Sequence, residues 1–243
     1  MENKYNIKAV SKLTGLSEHT VRAWERRYSA VIPERTETNR RIYSDNDIEK
    51  LSLLAEVVKN GHTISNVANY DLDKLRTLVN NSKVPSENKT ITTSEYFQNL
   101  INESVTLISN FKREEFENIL LQVSIDYSKH QMLVEFVIPL LEKIGLLWES
   151  GIIRVIHEHF AASVLRTFLG NLIENNPKHK NAPKIITTTP EGFLHELGAL
   201  IAALYAMDFG WDPIFLGSSL PPEEITAAVK ENNAKAVLLS LSK

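Results

Sequence analysis

Residues 7–28 read IKAVSKLTGLSEHTVRAWERRY, and this stretch decides the fold of the N-terminal part of the chain. Apolar side chains recur at helical spacing from Ile7 until Gly15 interrupts the pattern, which predicts a short helix and a tight turn. Ser17 is a good N-cap for a second helix that extends to about Tyr28. Two helices joined by a glycine-containing turn indicate a helix-turn-helix, a motif that places its second helix in the DNA major groove.

The second predicted helix has one apolar and one basic face. Trp24 falls on the apolar face and is predicted to lie in the core, whereas His19, Arg22 and Arg26 fall on the outer face. A basic helix face is often only a solvated surface, and for an arbitrary helix that alternative weighs about equally with nucleic-acid binding. The order of motifs around this helix favours DNA binding.

The segment after the second helix is PERTETNRRIY, residues 33–43, with turn-forming residues at its centre and extended-type residues at its end. This pattern predicts a two-stranded hairpin or wing. Ser44 followed by Asp47 resembles a capping box that opens a helix to about Lys59, and residues 64–79 predict a further amphipathic helix.

Charge is unevenly distributed along the chain. The 243 residues carry 27 Lys and Arg against 30 Asp and Glu, and the net charge of −3 argues against a surface covered by nucleic acid. One segment has three acids beside six arginines, which are Arg22, Arg26, Arg27, Arg35, Arg40 and Arg41. Six phosphate contacts would give a slope of about −5 per module when the logarithm of the DNA-binding constant is plotted against the logarithm of the salt concentration.

Because one helix reads few base pairs, a homodimer on a palindromic double-stranded operator is expected.

Composition excludes several classes of protein. With no cysteine, the chain has no disulfide, no thiolate zinc site and no cysteine nucleophile. No stretch approaches the roughly 18 uncharged apolar residues of a membrane span, and the N-terminal residues lack the apolar region of a signal peptide. We therefore expect a cytoplasmic globular protein without a membrane partner, built from two or three domains.

The middle of the chain divides into a linker and a helical region. Residues 80–94 are polar and unpatterned, which predicts the linker. An antiparallel four-helix bundle is predicted over residues 95–180, from helical patterns at about 95–110, 113–128, 131–148 and 154–174.

Residues 181–243 alternate strand and helix patterns, which predicts a parallel α/β sheet. Three strands are recognisable, at KIITTT, DPIFLG and KAVLLSLS. His195 lies where the loop after the first strand meets its helix, and Gly198 follows one turn later, which would allow a ligand to approach closely. Because ligands of open α/β sheets bind at the carboxyl ends of strands, His195 is a candidate metal ligand. A lone histidine there is more often only a hydrogen-bonded polar group.

The first module resembles the MerR family of transcriptional regulators. The segments IKAVSKLTGLSEHTVRAWERRY and PERTETNRRIYSDNDIEKL match the helix-turn-helix and wing of that family. The resemblance implies DNA contacts by position: His19, Thr20 and Arg22 with bases or phosphates, Arg26 and Arg27 with phosphates, and Arg40, Arg41 and Tyr43 through the wing.

The C-terminal part resembles the cobalamin-binding Rossmann domain, whose loop pattern is D/E-x-H-x-x-G. The resemblance implies that His195 is the lower axial ligand of cobalt and that Gly198 is the glycine of the pattern. Phe193 replaces the acidic residue, so the usual carboxylate–histidine hydrogen bond requires Glu191, and a weaker or histidine-off mode is the alternative. The nucleotide tail is implied to be lined by Ser219, Leu220, Ser240 and Leu241.

Trp148, nine further residues and then Glu158-His159 reproduce the W-x9-E-H pattern of the CarH and LitR photoreceptor regulators. The resemblance implies that Trp148 shields the upper axial group of adenosylcobalamin and that Glu158 and His159 contact its adenosyl group. A bundle-core tryptophan with an exposed Glu-His pair is the alternative. Glu149 replaces the histidine that captures cobalt after illumination, so bis-histidine locking would need His157 or His159.

Together these patterns predict a multidomain protein: an all-α winged helix-turn-helix at residues 1–79, a linker at 80–94, a four-helix bundle at 95–180 and the first part of an α/β Rossmann-like cobalamin-binding domain at 181–243. A doubly wound domain needs about five strands, so with three strands read we expect this one to be incomplete.

The predicted function is that of a non-enzymatic transcriptional repressor that senses adenosylcobalamin, with light as a candidate signal. Its homodimer or homotetramer state would be coupled to operator binding through the differential affinity of the cofactor for two assemblies. Two alternatives stay open: a MerR-type regulator that no longer binds cobalamin, and a corrinoid methyl-carrier protein, against which the DNA-binding module counts heavily.

Overall fold

The structure is a computed structural model of the chain, and it describes residues 3–81, 93–175 and 181–241. Most of the predicted linker lies outside the described residues, as do residues at the end of the predicted bundle. The chain divides into two compact units, Met1–Val155 and Ile156–Lys243.

The first unit begins with the two predicted helices, α1 at Ile7–Thr14 and α2 at Glu18–Tyr28. Gly15 ends α1 in the left-handed conformation at φ 73°, which a residue without a β-carbon adopts without steric cost. Ser17 caps α2, since its Oγ accepts a hydrogen bond from the Thr20 backbone N–H at 3.0 Å. Local capping residues therefore set the turn between the helices.

An antiparallel hairpin follows α2, with β1 at Glu34–Arg35 paired to β2 at Arg41–Ile42. The next helix begins with the predicted capping box, in which Ser44 and Asp47 each accept a hydrogen bond from the backbone N–H of the other. The helices of this segment are α3 at Asp45–Lys59, α4 at Ile64–Val67 and α5 at Leu72–Asn81.

The prediction of one helix over residues 64–79 is wrong, because the structure has two helices, α4 and α5, in that range. The break has a local cause at Asp71. The Asp71 carboxylate accepts a hydrogen bond from the Lys74 backbone N–H at 2.8 Å and so caps a new helix.

Further helices complete the first unit, and the last of them is irregular. A π-helical segment at Met132–Val137 joins α8 to α9. Pro139 lies just after this segment and cannot donate a backbone hydrogen bond, which explains a local departure from α-helical pairing. The helices are α6 at Thr93–Ser109, α7 at Arg113–Asp126, α8 at Lys129–Gln131 and α9 at Ile138–Glu149.

The hydrophobic core of the N-terminal helices continues into α7. Trp24 is 2% exposed, which confirms the predicted core position, and it belongs to the same cluster as Val10 and Leu54. Ile125 of α7 is also a buried member of this cluster. The helix-turn-helix is therefore packed against the helical region that follows it.

The second unit combines α10, at Val155–Glu174, with a three-stranded sheet of order β4–β3–β5. Both strand pairs are parallel, which confirms the predicted α/β arrangement and its three strands. The elements are β3 at Lys184–Thr188, α11 at Leu197–Asp208, β4 at Asp212–Phe215, α12 at Pro222–Asn232 and β5 at Ala236–Leu239.

The four predicted bundle helices are all present as helices, but α10 is grouped with the sheet and the other three belong to the first unit. A closed four-helix bundle stays a prediction. Among the described residues, no helix combines the length and the hydrophobicity needed to cross a bilayer.

Candidate functional site

The outer face of α2 carries the predicted basic side chains. His19, Arg22 and Arg26 are exposed, whereas Thr20 is half-buried and its hydroxyl shares a 2.8 Å hydrogen bond with Ser17. Arg22 pairs with Glu18 one turn earlier at 3.0 Å, an exposed contact that solvent weakens. In the part of the chain that the structure describes, the side chains of His19 and Arg26 have no hydrogen-bond partner and stay available to a ligand.

The last turn of α2 contacts α7 through two side chains. The Arg27 guanidinium donates a hydrogen bond to Gln122 Oε1, and the Tyr28 hydroxyl donates one to Asp126. Burial, followed by the hydrogen bond to Asp126, raises the pKa of Tyr28 to about 12, so the phenol is a neutral donor at physiological pH. Of the two predicted phosphate contacts, Arg26 is open and Arg27 is engaged within the protein.

The β1–β2 hairpin presents one open and one engaged arginine. Arg40 is exposed, with no side-chain partner among residues 3–81, 93–175 and 181–241. Arg41 is half-buried and its Nε donates to both carboxylate oxygens of Glu25, at 2.9 and 2.7 Å. Sequence reasoning did not single out Glu25, although an acid within a basic helix face was a signal that could have identified it.

The predicted DNA contact of Tyr43 does not fit this geometry, because the Tyr43 side chain is fully buried. Its hydroxyl donates to Glu25 Oε2 at 3.3 Å, and burial raises its pKa above the ordinary value, with the Glu25 charge as the next cause. Tyr43 also pairs through its backbone with Tyr5. Tyr43 therefore has a structural role next to the hairpin, where it contacts Glu25 and Tyr5.

In the second unit, three loops meet at the carboxyl edge of the sheet. Thr189, just after β3, accepts a hydrogen bond from the Ser219 backbone N–H at 2.7 Å through its hydroxyl and one from Leu220 at 3.1 Å through its carbonyl. The Ser240 backbone N–H donates to the Thr188 carbonyl at 3.0 Å. This edge therefore brings together the predicted tail-binding residues, of which Leu241 is exposed.

His195 lies in the loop after β3, and its side chain is exposed. Within the described ranges, it makes no hydrogen bond, so the predicted substitution of Glu191 for the family's carboxylate is not realised. The neighbouring Glu196 is engaged elsewhere, since it pairs with Arg166 Nε of α10 at 2.5 Å. Sequence reasoning missed this ion pair, which anchors the loop that carries His195 and is formed between residues far apart in the sequence.

Gly198 lies at the start of α11, directly against Ser240. A β-carbon at Gly198 would lie 2.3 Å from the Ser240 Oγ, well inside van der Waals contact. Ser240 is half-buried, and its side chain fills the space that the missing β-carbon leaves. This contact is made by a rotatable hydroxyl, so the role of Gly198 in letting a ligand approach stays a prediction.

The three residues of the W-x9-E-H pattern fall in different units. Trp148, in the last turn of α9, belongs to the first unit and is 48% exposed, so the interpretation as a core side chain is wrong. Glu158 and His159 belong to the second unit, where Glu158 Oε2 lies 3.0 Å from His159 Nδ1. Their combination with Trp148 in one site stays a prediction.

Comparisons with known proteins confirm the resemblance of both regions. Residues 5–73 match the MerR HTH family regulatory protein, and residues 100–173 match the B12 binding domain. Over 94% of its length the chain is 27% identical to the HTH-type transcriptional repressor CarH of Myxococcus xanthus, covering 75% of that protein. The repressor CarA of the same organism is 25% identical over 96% of the chain, again with 75% of the relative covered.

Among solved structures, a cobalamin-binding protein from Desulfitobacterium hafniense matches 59% of the chain and 69% of its own length, at 26% identity and a TM-score of 0.31. The chain has one segment that matches the MerR HTH family and one that matches the B12 binding domain, and it is similar over most of its length to CarH and CarA.

Proposed function

We propose that this chain, which joins a MerR-type helix-turn-helix to a B12 binding domain, is a transcriptional repressor whose binding to a double-stranded operator depends on adenosylcobalamin. The observation that carries the proposal is the exposed imidazole of His195, which has no hydrogen-bond partner in the described ranges and lies at the carboxyl edge of a parallel sheet. The similarity to two repressors over most of the chain supports the same function.

DNA binding rests on the open cations of the first unit. Arg26 on α2 and Arg40 on the hairpin are exposed, and His19 adds a base-contacting candidate at the start of α2. In a winged helix-turn-helix, α2 would enter the major groove and the hairpin would contact the backbone. A homodimer or homotetramer would then read two half-sites of the operator.

The side chains at the carboxyl edge of the sheet have the chemical groups that a cobalamin site needs. His195 would be the protein ligand of cobalt, and the hydroxyls of Ser219 and Ser240 would line the nucleotide tail together with Leu220 and Leu241. When bound, adenosylcobalamin would supply a cobalt ion that an imidazole can ligate and a light-sensitive cobalt–carbon bond.

The upper side of the cofactor would be covered by residues of the helical region. The exposed indole of Trp148 offers an apolar face, and the Glu158-His159 pair offers polar groups for the adenosyl moiety. Part of the apolar surface of Trp148 is exposed to solvent, and a bound ligand could cover it. Glu149 at the next position makes imidazole capture of cobalt after illumination dependent on His157 or His159.

Coupling between cofactor and DNA would use the contact of α2 with α7. Helix α7 lies within the segment that matches the B12 binding domain, and it hydrogen-bonds Arg27 and Tyr28 of α2. A cofactor that binds one oligomeric assembly more tightly than another shifts the population toward that assembly. Operator affinity would follow, because paired helix-turn-helix motifs bind a palindrome more tightly than single ones.

The test is to mix the purified full chain with adenosylcobalamin in darkness, remove free cofactor, and record the absorbance spectrum, molecular mass and DNA binding before and after green light. We expect stoichiometric chromophore in the dark and a change in mass after illumination. His195→Ala should lose the chromophore or its histidine-on spectrum, and His62→Ala, outside the site, serves as the matched control. Absence of bound chromophore in both conditions would overturn the cofactor proposal.

Two observations favour a second candidate, a MerR-type regulator that binds DNA without cobalamin. The Ser240 side chain fills the space beside Gly198, and His195 lacks a carboxylate partner among the described residues. In that case the same mixing experiment yields operator binding with an affinity that neither adenosylcobalamin nor light changes.

A further inference from the structure

Glu25 is an acidic side chain within the basic surface formed by α2 and the β1–β2 hairpin. Its side chain is only 14% exposed, and it accepts hydrogen bonds from Arg41 Nε at 2.9 Å on Oε1 and 2.7 Å on Oε2. Such a carboxylate would ordinarily repel DNA phosphates. Its position therefore calls for a role that outweighs this repulsion.

The contact between Glu25 and Arg41 uses one nitrogen of the guanidinium. In the described part of the chain, the terminal Nη1 and Nη2 atoms of Arg41 make no hydrogen bond. The neighbouring arginines differ, since Arg22 is held through Nη2 by Glu18 and Arg27 through Nη1 by Gln122. Arg41 is thus anchored while its two terminal amino groups stay open.

A second contact fixes Glu25 from the protein side. The buried Tyr43 hydroxyl donates to Glu25 Oε2 at 3.3 Å, and the Tyr43 backbone exchanges two 2.9 Å hydrogen bonds with Tyr5. The carboxylate is therefore held between the core and the hairpin. Because the pair is partly buried, salt screens it less than an exposed ion pair.

We propose that Glu25 is a positioning residue for DNA binding, which holds Arg41 through Nε so that the two terminal amino groups face one phosphate of the DNA backbone. Two parallel N–H donors match two phosphate oxygens, and this bidentate geometry is specific to arginine. An anchored guanidinium loses less side-chain freedom on binding than a free one. The proposal rests on DNA binding by the first unit and needs no cofactor.

The sign of the effect of Glu25 separates this proposal from simple electrostatics. If Glu25 only adds negative charge near DNA, its removal strengthens binding. If it positions Arg41, its removal weakens binding although the protein becomes more positive. Glu37 on the hairpin is the matched control, since it is an exposed acid whose side chain makes no hydrogen bond or ion pair with the described residues.

The experiment uses the full chain and a labelled duplex that the unaltered protein selects from a random-sequence pool, with affinity measured by fluorescence anisotropy between about 50 and 200 mM NaCl. We expect Glu25→Ala to weaken binding about fivefold. Glu37→Ala should bind as tightly as the unaltered protein or more tightly. Arg41→Ala should reduce the log–log salt slope by about 1, and Arg41→Lys should not restore affinity.

The double variant Glu25→Ala/Arg41→Ala gives the decisive comparison, because a positioning residue has no effect once its target is gone. It should bind like Arg41→Ala alone. Glu25→Gln, which keeps the shape of the side chain, replaces Glu25→Ala if the latter has a lowered melting temperature.

Tighter binding by either Glu25 variant, or independent losses that multiply in the double variant, overturns the positioning role while leaving DNA binding intact. Failure of the unaltered protein to select any duplex overturns DNA binding itself, and the positioning role with it.

Discussion

Trp24 Nε1 of α2 donates a hydrogen bond to the main-chain carbonyl of Ile125 in the last turn of α7, at 2.9 Å. Both residues are 2% exposed and share one hydrophobic cluster. The helix that carries the basic surface is therefore joined to the region matched by the B12 binding domain through a buried polar contact. We therefore expect substitutions at this contact to affect both α2 and α7.

Replacement of Trp24 by phenylalanine tests the strength of this junction. Trp24→Phe removes the donor and leaves the buried Ile125 carbonyl without its partner, which should lower the free energy of unfolding of the first unit by about 1–3 kcal/mol. Urea unfolding followed by circular dichroism measures it. Trp211→Phe in the second unit is the control, and an equal loss there would show that the effect is not specific to the junction.

If Arg27 contacts a DNA phosphate as predicted, its hydrogen bond to Gln122 should compete with that contact. In contrast to Arg41, Arg27 is held through a terminal amino group, Nη1, so it cannot offer both terminal amino groups to a phosphate while this contact lasts. Gln122→Ala should free Arg27, tighten DNA binding at low salt, and steepen the log–log salt slope by up to about 0.9. Gln98→Ala on α6 controls for loss of an exposed glutamine. Weaker binding by Gln122→Ala would mean that the contact supports DNA binding.

The hydrogen bond between Tyr28 and Asp126 predicts a stability that depends on alkaline pH. Burial raises the pKa of Tyr28 from 10.0 to about 12, so the folded state favours the protonated phenol. The stabilisation is complete below about pH 10 and declines as the pH rises toward 12. Solvent screening of this half-exposed group limits it to about 1 kcal/mol.

Tyr28→Phe should therefore be less stable than the unaltered chain near neutral pH, with the difference shrinking between about pH 10 and pH 12, where Tyr28 is ionised in the unfolded chain but still protonated in the folded one. Urea titrations at several pH values measure this difference. Tyr70→Phe is the control, and a Tyr28→Phe difference that stays constant up to pH 12 would contradict the raised pKa.

Gly198 and Ser240 should show reciprocal substitution effects. Gly198→Ala places a β-carbon 2.3 Å from Ser240 Oγ, and because rotation of this hydroxyl relieves the contact, the second unit should lose no more than about 1 kcal/mol of stability. Ser240→Ala removes that oxygen and leaves the nearest atom at 3.5 Å, so the double variant should recover most of the loss. Thermal unfolding measures each variant.

Gly170→Ala provides the matched control for this pair, because Gly170 lies inside α10 with nothing within 4 Å of an added β-carbon. It should be neutral or stabilising by up to about 1 kcal/mol, since alanine favours a helix more than glycine does. A double variant as unstable as Gly198→Ala alone would show that the Ser240 contact does not determine the need for glycine.

The sequence by itself determined the elements whose signals are local. Gly15, Ser17 and the Ser44 capping box set helix ends within a few residues of themselves, so the helix-turn-helix was predicted closely. The three strands followed from β-branched and apolar runs. The one missed break, at Asp71, also had a local cause, but its signal was a single capping aspartate inside an amphipathic pattern.

Only the tertiary structure decided which predicted site residues are open to a ligand. Tyr43 is buried and contacts Glu25, which lies 18 residues away in the sequence. Arg27 contacts Gln122, which lies 95 residues away. Contacts over such separations cannot be read from local sequence patterns. Arg41 keeps two amino groups open because Glu25 meets it at Nε, which depends on how the hairpin packs against α2. Residue type and spacing specify which groups can bind, and long-range packing determines which of them remain free to do so.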